Sequence, residues 1–324
     1  MNIGINGFGR IGKCIFLQCL EDENIRIKAI NINHLSIHDL RKYIHYDSVH
    51  RMQKYDVEIT DNHYMLINGQ RIKIFNERNP ALIPWTKEHV VYLFETTGVF
   101  LTKESILQHD VRYVLLSAPP KDDIPIYCYG VNDTEYSNER VVSGASCTTN
   151  CIAPFLKLIT SFTSKIIWGS FITIHAATAS QQIADKANME RRTHRSLFNI
   201  IPHKTGASSC IDKLMPELKN KIFGTCVRVP TQNVSMIDLD LIFEHPVCME
   251  ELFEKLLNSF NDVVNISFDK LVSTDFIGDK TSCIIDYHAS KQLTDCSIKF
   301  TLWYDNEWSY SAQIIRLLKK CFTS

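Results

Sequence analysis

The residue that points most directly to chemistry is a cysteine where a strand passes into a helix. Val141-Val142 closes a short apolar strand, and residues 152–159 form the apolar face of a helix, so Cys147 lies at a helix N-terminus. Unpaired N–H groups and the helix dipole there favour a thiolate, which attacks carbonyl carbon. An inert buried cysteine is the alternative, but the hydroxyls of Ser146 and Thr148 would pack poorly around one. We therefore predict a nucleophile.

A histidine and several basic or hydroxylated residues could complete this site. His175 ends a strand, and a Cys–His pair supplies a nucleophile and its base. Spacing alone would fit a hydrolase equally well, and a structural histidine is the alternative. Arg192 lies in a polar, proline-free loop and Arg228 ends a strand, although most arginines are solvated surface charges. A phosphorylated aldehyde would suit these charges together with hydroxyl and backbone donors at Ser146, Thr148, Thr178, Thr205 and Gly206.

A glycine-rich turn near the N-terminus indicates a dinucleotide. A short strand at residues 3–6 leads into the G-x-G-x-x-G run of residues 7–12, and a helix at 13–21 and a strand at 25–30 follow. In this context the glycines allow a tight turn and the approach of a pyrophosphate to the helix N-terminus. The alternative is a turn that only packs the helix on the strand. The motif favours hydride transfer over hydrolysis for the Cys–His pair.

One part of the dinucleotide fingerprint is missing. An acid is expected about 20 residues after the glycines, where it accepts hydrogen bonds from the adenosine ribose. Ile32 occupies that position, and Asn31 or Asn33 could substitute only in part. Loss of the acid removes repulsion toward a 2′-phosphate, but no arginine follows to attract one. These residues leave the choice between NAD and NADP open.

The chain length and strand pattern predict two domains. A chain of 324 residues exceeds the usual size of one core. Residues 1–146 have short strands with ligand-binding turns at their ends, whereas 147–306 have longer alternating strands. We predict an α/β protein in which a Rossmann doubly wound parallel sheet precedes an α+β catalytic domain with a mainly antiparallel sheet.

Composition indicates the compartment and the partners. Lys+Arg 35 against Asp+Glu 36 gives a net charge of -1, which offers no bulk attraction to nucleic acid or an anionic membrane. No apolar run approaches the roughly 20 residues of a membrane span. Eleven cysteines without paired spacing are typical of a reducing cytoplasm, and their spacing predicts no metal site.

Several motifs, in order from the first residues to the last helix, are similar to one enzyme family. They are INGFGRIG (5–12), YDSVH (46–50), TGVF (97–100), ASCTTNC (145–151), RVPT (228–231), NVS (233–235) and WYDNEW (303–308). Together they resemble phosphorylating glyceraldehyde-3-phosphate dehydrogenase. The resemblance implies a cytoplasmic, NAD-dependent homotetramer that acts on glyceraldehyde 3-phosphate and inorganic phosphate, with helix 307–324 completing the first domain.

The resemblance also implies a mechanism with named roles. Cys147 would attack the aldehyde, His175 would act as base and oxyanion donor, and phosphate would cleave the thioester left after hydride transfer. Thr178 and Arg228 would hold the substrate's phosphate. The attacking phosphate would contact Ser146, Thr148, Arg192, Thr205 and Gly206. The dinucleotide would contact Asn6, Gly7, Gly9, Arg10, Ile11, Gly12, Arg78, Thr97, Ser117 and Asn306, with Tyr310 beside the nicotinamide.

Two other functions remain open from the sequence. Erythrose-4-phosphate dehydrogenase is a sister activity on the same scaffold, but its reaction ends in hydrolysis and would not need Thr205 and Gly206. A catalytically weak binding protein of the same fold is the second alternative, and the Cys147/His175 pair opposes it.

Overall fold

A computed structural model of the chain describes residues 1–32, 35–50, 55–61, 63–259 and 261–322. Its contacts divide the chain into two compact units. The first comprises Met1–Tyr127, Asp133–Ala145 and Ile314–Ser324, and the second comprises Cys128–Asn132 and Ser146–Gln313. The contact boundaries fall between residues 145 and 146 and between residues 313 and 314. The division of function between domains 1–146 and 147–306 stays a prediction.

In the part of the chain that is described, the first unit contains eight strands, three whole α-helices and the end of a fourth. Its elements are β1 (Asn2–Asn6), α1 (Arg10–Leu20), β2 (Arg26–Asn31), α2 (Ile37–His45), β3 (Val57–Asp61), β4 (Tyr64–Ile67), β5 (Gln70–Phe75), β6 (Tyr92–Glu95), α3 (Lys103–Ile106), β7 (Tyr113–Leu116) and β8 (Val141–Ser143). The sheet order is β3-β4-β5-β2-β1-β6-β7-β8. All pairs from β5 to β8 are parallel, and β3, β4 and β5 pair antiparallel.

This strand order creates a crevice at one edge of the sheet. Chain connections run outward in opposite directions from β1 and β6, so the two strands flank a topological switch point. Apolar side chains bury the strands, as parallel strands covered by helices require. One core cluster contains Trp85, Leu93, Val114 and Leu116. The crevice therefore opens at the carboxyl ends of rigid, buried strands.

The second unit contains the longer strands, as the alternating pattern predicts. Its elements are α4 (Cys147–Thr160), β9 (Ile166–His175), α5 (Arg191–His194), β10 (Ile201–His203), α6 (Ala207–Leu214), β11 (Ile222–Arg228), β12 (Ser235–Phe243), α7 (Met249–Leu257), β13 (Val264–Ser267), β14 (Cys283–Thr294), β15 (Ser297–Tyr304) and the start of α8 (Trp308–Phe322). The sheet order is β10-β11-β9-β12-β15-β14-β13. Two of its pairs, β11/β9 and β13/β14, are parallel, and the others are antiparallel.

Helix α4 carries Cys147 as its first residue and contains a proline in its interior. Ser146 caps the helix by accepting from the backbone N–H of Thr149. Pro154 has no N–H for the carbonyl of Asn150, four residues earlier. The hydroxyl of Ser282 donates to that carbonyl at 2.9 Å instead. The proline is tolerated because a neighbouring segment satisfies the freed acceptor.

Helix α8 begins at Trp308, one residue after the start of the helix 307–324 that the resemblance implies. Among the helices of the described residues, none has both the length and the apolar character needed to cross a membrane.

Candidate active site

A cleft of about 580 Å³ opens at the switch point of the first unit. Its lining comes from segments that follow four strands: Gly7 and Gly9 after β1, Ile32 after β2, Arg78 after β5 and Thr97 after β6. These segments converge because the strands are parallel, and doubly wound sheets bind nucleotides at this edge. The cleft thus brings four predicted cofactor residues into one lining with Ile32, namely Gly7, Gly9, Arg78 and Thr97.

The glycines of this cleft fit a dinucleotide for separate physical reasons. Gly7 has φ +93°, and a Cβ there would lie 2.9 Å from a methyl carbon of Thr97. A Cβ on Gly12 would lie 2.1 Å from the carbonyl oxygen of Gly7. A Cβ on Gly9 would meet no atom within 4 Å, so this glycine faces open space beside the N-terminus of α1. Tight turn, close packing and pyrophosphate approach are the three glycine roles of this motif.

The side chain of Asn6 belongs to a buried hydrogen-bond network below the cleft. Its amide nitrogen donates to Glu95 at 2.5 Å, and its oxygen accepts from Asn31 at 2.7 Å. The indole N–H of Trp85 donates to Nδ1 of His109, which leaves the proton of the neutral imidazole on Nε2, facing Glu95 at 3.3 Å. Sequence reasoning missed Glu95 and His109, since no local pattern places a buried acid beside a buried histidine.

Glu95 also organises the turn that lines the cleft. Its second carboxylate oxygen accepts from the backbone N–H of Thr97 at 2.8 Å and from the Thr97 hydroxyl. Ser117 donates its hydroxyl to the carbonyl of Glu95 at 3.0 Å. The predicted cofactor residues Asn6, Thr97 and Ser117 are therefore connected through one buried residue.

Asn31, which could substitute for the missing acid only in part, is held away from this role by other hydrogen bonds. Asn31 is 1% exposed. Its side-chain nitrogen donates to the side-chain oxygen of Asn6 and to the carbonyl of Glu77, and its side-chain oxygen accepts from the backbone N–H of Glu77. A buried amide satisfied in this way has no acceptor to offer a ribose. Asn33 lies outside the described residues. Ile32 itself lines the cleft, so the adenosine end of the site is apolar at this position.

Arg10, at the start of α1, has its guanidinium group paired with Asp47. Nη1 and Nη2 lie 2.6 and 3.2 Å from the two carboxylate oxygens, and Lys13 adds a contact of 2.9 Å. Burial alone would raise the pKa of Asp47, but hydrogen bonds from Arg10, His50 and Lys13 together hold it well below 3.8. A phosphate at this helix N-terminus would meet backbone N–H groups of the first turn, beside the Arg10–Asp47 pair.

The second unit brings Cys147, His175 and Arg228 together. Sγ of Cys147 lies 3.4 Å from Nε2 of His175, and Nη1 of Arg228 lies 2.8 Å from Nδ1 of the same ring. β9 and β11 position the two basic residues because His175 and Arg228 are partners in the parallel register. Helix α4 supplies the cysteine. Residues separated by 81 positions in the chain thus form one contiguous group.

The imidazole of His175 is neutral at physiological pH. Burial is the largest influence and the charge of Arg228 is the next, and together they lower the pKa of His175 from 6.5 to about 3. A neutral imidazole can hold or accept a proton at Nε2, as a base beside a thiol must.

The expectation that the helix N-terminus makes Cys147 a thiolate is wrong for this structure. Burial raises the pKa of its thiol above 9.0, and that influence exceeds the lowering by Arg228 and by the backbone N–H of Thr148. The helix terminus contributes in the expected direction but does not dominate. Cys147 is therefore a thiol that needs a base, and His175 is in contact with it.

Arg192 reaches this group from α5, inside the stretch that was expected to be a loop. Its Nη2 donates to the hydroxyl of Thr178 at 3.1 Å. Nε of Arg192 and Nε of Arg228 are buried without a hydrogen-bond partner in the described part of the chain. Two guanidinium groups with unused donors form a site for an anion.

The remaining predicted phosphate residues lie at two helix starts. Ser146 precedes α4, and Thr205 and Gly206 precede α6, where the Thr205 hydroxyl accepts from the backbone N–H of residue 207. The hydroxyl of Thr148 is buried and lies 3.0 Å from the hydroxyl of Tyr304.

Two predicted cofactor residues also belong to the second unit. The side chain of Asn306 accepts a hydrogen bond from the hydroxyl of Ser235, and Tyr310 is 4% exposed. Sequence reasoning missed Tyr304, whose hydroxyl also contacts Thr173 at 2.9 Å.

A Rossmann cleft with this glycine geometry, together with a second unit that holds a cysteine–histidine pair, is typical of an NAD-dependent dehydrogenase. Comparison with known families identifies which one. The family model "Glyceraldehyde 3-phosphate dehydrogenase, NAD binding domain" matches residues 1–103. The family model "Glyceraldehyde 3-phosphate dehydrogenase, C-terminal domain" matches residues 146–306. The chain belongs to the glyceraldehyde-3-phosphate dehydrogenase family, which confirms the predicted family, fold class, enzyme class and NAD cofactor.

Curated relatives match over nearly the whole chain. "Glyceraldehyde-3-phosphate dehydrogenase, cytosolic" of Taxus baccata is 39% identical over 98% of this chain and 96% of its own length. The glyceraldehyde-3-phosphate dehydrogenase of Buchnera aphidicola is 38% identical over 98% of both chains. That of Phaeosphaeria nodorum is 37% identical over 98% of this chain and 96% of its own length.

Proposed function

We propose that this protein oxidises and phosphorylates glyceraldehyde 3-phosphate to 1,3-bisphosphoglycerate, a step of glycolysis and gluconeogenesis. The observation that carries the proposal is the 3.4 Å contact between Sγ of Cys147 and Nε2 of His175, beside two arginines with free donors. The thiol explains covalent capture of an aldehyde, and the arginines explain a preference for phosphate groups.

Cys147 and His175 would perform the covalent steps. The thiol sulfur attacks the aldehyde carbon while Nε2 of His175 takes the thiol proton, and the resulting imidazolium donates a hydrogen bond to the oxyanion and keeps its proton. Bound NAD supplies the hydride acceptor. A phosphate oxygen next attacks the thioester carbonyl, the C–S bond breaks, and His175 returns a proton to Cys147.

The basic and hydroxylated residues would bind two phosphate groups. Thr178 and Arg228 are assigned to the phosphate of the substrate, and Arg192 is assigned to the attacking phosphate. The 3.1 Å contact between Arg192 and Thr178 supports two adjacent anion positions. The hydroxyl and backbone donors of Ser146, Thr148, Thr205 and Gly206 would complete the second position.

The first domain would hold the dinucleotide. We assign residues 1–146 and the helix 307–324 to cofactor binding, and residues 147–306 to catalysis. Gly9 would leave room for the pyrophosphate, and the backbone N–H groups of Arg10 and Ile11 would donate to it. Other contacts would come from Asn6, Gly7, Gly12, Arg78, Thr97, Ser117, Asn306 and Tyr310.

A homotetramer in the cytoplasm is the assembly that we propose. On one face of the second sheet, Trp168 and Ile172 of β9, Phe223 of β11 and Ile242 of β12 expose large apolar side chains. Apolar faces of this kind are usually covered by another subunit. The names of the Taxus and Ginkgo relatives include "cytosolic", which supports the compartment. Light scattering of the purified chain tests the tetramer, and Trp168→Lys should dissociate it.

Initial rates of NAD reduction test the reaction. We expect turnover of glyceraldehyde 3-phosphate that depends on inorganic phosphate and is lost in Cys147→Ser. Cys248→Ser, at an exposed cysteine, is the matched control. Turnover independent of phosphate would instead indicate the hydrolytic oxidation of erythrose 4-phosphate, and no turnover with either sugar would indicate a binding protein. Full activity in Cys147→Ser would refute the thiol mechanism.

A further inference from the structure

A row of hydrogen bonds crosses four parallel strands below the nucleotide cleft. It runs from Thr97 through Glu95, Asn6 and Asn31 to Glu77. These residues lie at or just after the carboxyl ends of β6, β1, β2 and β5, which are neighbours in the sheet. Glu95 is 0% exposed, and the two asparagines are 1% exposed. The row therefore joins the four turns that line the cleft.

The main chain of Glu77 fixes the direction of the bonds at one end of the row. Its N–H donates to Oδ1 of Asn31 at 3.0 Å, and its carbonyl accepts from Nδ2 at 2.8 Å. Because a backbone N–H only donates and a carbonyl only accepts, these bonds set the orientation of the Asn31 amide. Nδ2 of Asn31 also donates to Oδ1 of Asn6 at 2.7 Å, which turns Nδ2 of Asn6 toward Glu95.

Other groups around the Glu95 carboxylate also donate to it. The backbone N–H of Thr97 donates to Oε1 at 2.8 Å. The indole N–H of Trp85 donates to Nδ1 of His109 at 3.1 Å, so Nε2 carries the ring proton that faces Oε2 at 3.3 Å. Position 95 therefore requires two atoms that accept. A carboxylate meets this requirement and an amide does not, because one of the two polar atoms of an amide donates.

We propose that Glu95 is a positioning residue for NAD, whose buried carboxylate holds the turns after β1 and β6 at the separation that the dinucleotide needs. The two turns are in close contact, since a Cβ on Gly7 would lie 2.9 Å from a methyl carbon of Thr97 and 3.0 Å from its backbone nitrogen. The hydroxyl of Thr96 donates to the carbonyl of Gly7 at 2.7 Å. A displacement of Thr97 therefore changes the shape of the cleft at its glycine turn.

The polar side-chain atoms of Asn6 and Thr97 are used inside the protein. The amide of Asn6 bonds Glu95 and Asn31. The hydroxyl of Thr97 donates to Glu95 and accepts from the backbone N–H of Val99 at 3.1 Å. Both residues therefore act on the cofactor through the shape of the cleft, and Glu95 is the residue on which that shape depends.

Glu95→Gln would keep the size of the side chain and change one acceptor into a donor. That donor would face either the N–H of Thr97 or the donors of Asn6 and His109. Two buried donors that face each other lose a hydrogen bond and remain unsatisfied, so a neighbouring group must move. Thr97 is partly exposed, whereas Asn6 and His109 are buried. We therefore expect the Thr97 turn to move and the cleft to lose its fit to NAD.

Calorimetric titration of the full-length chain with NAD tests the proposal. Glu95→Gln should weaken NAD binding about tenfold and raise the KM for NAD by a similar factor. The kcat at saturating NAD and the KM for glyceraldehyde 3-phosphate should stay within about twofold of wild type, because only cofactor binding is affected. Glu135→Gln, at an exposed position, is the matched control and should bind NAD as wild type does. The titration needs no turnover, so its outcome is separate from that of the proposed reaction.

A double variant distinguishes positioning from general destabilisation. In Asn6→Asp/Glu95→Gln the carboxylate lies at position 6, where it accepts from Asn31 and from the new amide nitrogen, while the new amide oxygen keeps the N–H of Thr97. Only the contact with His109 is lost from this set. NAD affinity should recover to within about threefold of wild type, whereas Asn6→Asp alone places two carboxylates together and should bind NAD more weakly than Glu95→Gln.

Two results would overturn the proposal. One is wild-type NAD affinity in Glu95→Gln, and the other is a loss of kcat and melting temperature with an unchanged KM for NAD, which would make Glu95 a structural residue only. If Glu95→Gln does not fold, Asn31→Ala decides the question, because it removes the middle of the row. Weaker NAD binding in Asn31→Ala would support the proposal, and unchanged binding would overturn it.

Discussion

Nη1 of Arg228 lies 2.8 Å from Nδ1 of His175 and 3.1 Å from the carbonyl oxygen of Ala176. A guanidinium offers only donors, so Nδ1 accepts from it and the proton of the neutral ring is on Nε2. For Nε2 to take the thiol proton, the ring proton must move to Nδ1, where the Ala176 carbonyl accepts it at 2.8 Å. Arg228 therefore controls whether the ring nitrogen that faces Cys147 carries a proton. An anion that draws Arg228 away would favour the tautomer with its proton on Nδ1, in which Nε2 can accept the thiol proton.

Removing the charge of Arg228 should raise the pKa of His175. In Arg228→Leu we expect the imidazole pKa to rise from about 3 toward 6.5 without reaching it, because burial is the larger cause of the shift. NMR titration of the ring measures this value. Arg191→Leu, at an exposed position in α5, is the control and should leave the titration unchanged. An unchanged titration in Arg228→Leu would contradict the role of Arg228.

His175 should make the free energy of unfolding depend on pH in the acid range. Its folded pKa is about 3 against 6.5 when unfolded, so the unfolded chain binds the proton first and stability falls as pH drops from 6.5 toward 3. Between pH 6.5 and 5 this loss amounts to about 2 kcal/mol. Urea titrations should show that His175→Asn lacks this component, whereas His38→Asn, at an exposed site, should keep it. Equal pH dependence in His175→Asn and wild type would refute the prediction.

The two glycines Gly9 and Gly12 should respond to alanine in opposite ways. A Cβ on Gly12 would lie 2.1 Å from a carbonyl oxygen, so Gly12→Ala should destabilise the chain by about 1–3 kcal/mol. Gly9 faces open space, so Gly9→Ala should keep its melting temperature and lose about tenfold or more in NAD affinity. Thermal melts and cofactor titration separate the two effects. Normal NAD binding by Gly9→Ala would place the pyrophosphate elsewhere.

An acid at position 32 should sharpen the choice of cofactor. Ile32 lines the cleft where the ribose acceptor of the fingerprint is expected. We expect Ile32→Asp to raise the ratio of kcat/KM for NAD over NADP by about tenfold, through hydrogen bonds to the ribose and repulsion of a 2′-phosphate. Ile32→Asn controls for size and polarity without charge. A ratio unchanged in Ile32→Asp would mean that this position does not contact the ribose.

Local patterns were sufficient to predict the two sheets and the first part of the site. The glycine motif depends on neighbours in the chain, because a turn with φ +93° at Gly7 and a helix beginning at Arg10 are decided within a few residues. The position of Cys147 at a helix N-terminus is local in the same sense. The contrast between short apolar strands in the first part of the chain and longer alternating strands in the second likewise predicts which sheet is parallel and buried on both faces.

Protonation states could not be predicted in this way. Position at a helix end indicates a thiolate at Cys147, but the amount of protein that covers the sulfur is set by segments distant in the chain, and burial prevails. The neutral state of His175 has the same origin, since Arg228 reaches it through the pairing of β9 and β11.

What the sequence determined by itself was the order of elements, the nucleotide turn and the position of Cys147 at a helix N-terminus, because each follows from short-range backbone and side-chain preferences. The tertiary structure decided which side chains remain available. It tied Asn31 into a buried network and brought Arg192 to Thr178. These outcomes depend on long-range packing, since a hydrogen bond between segments many residues apart is specified only when the whole core forms.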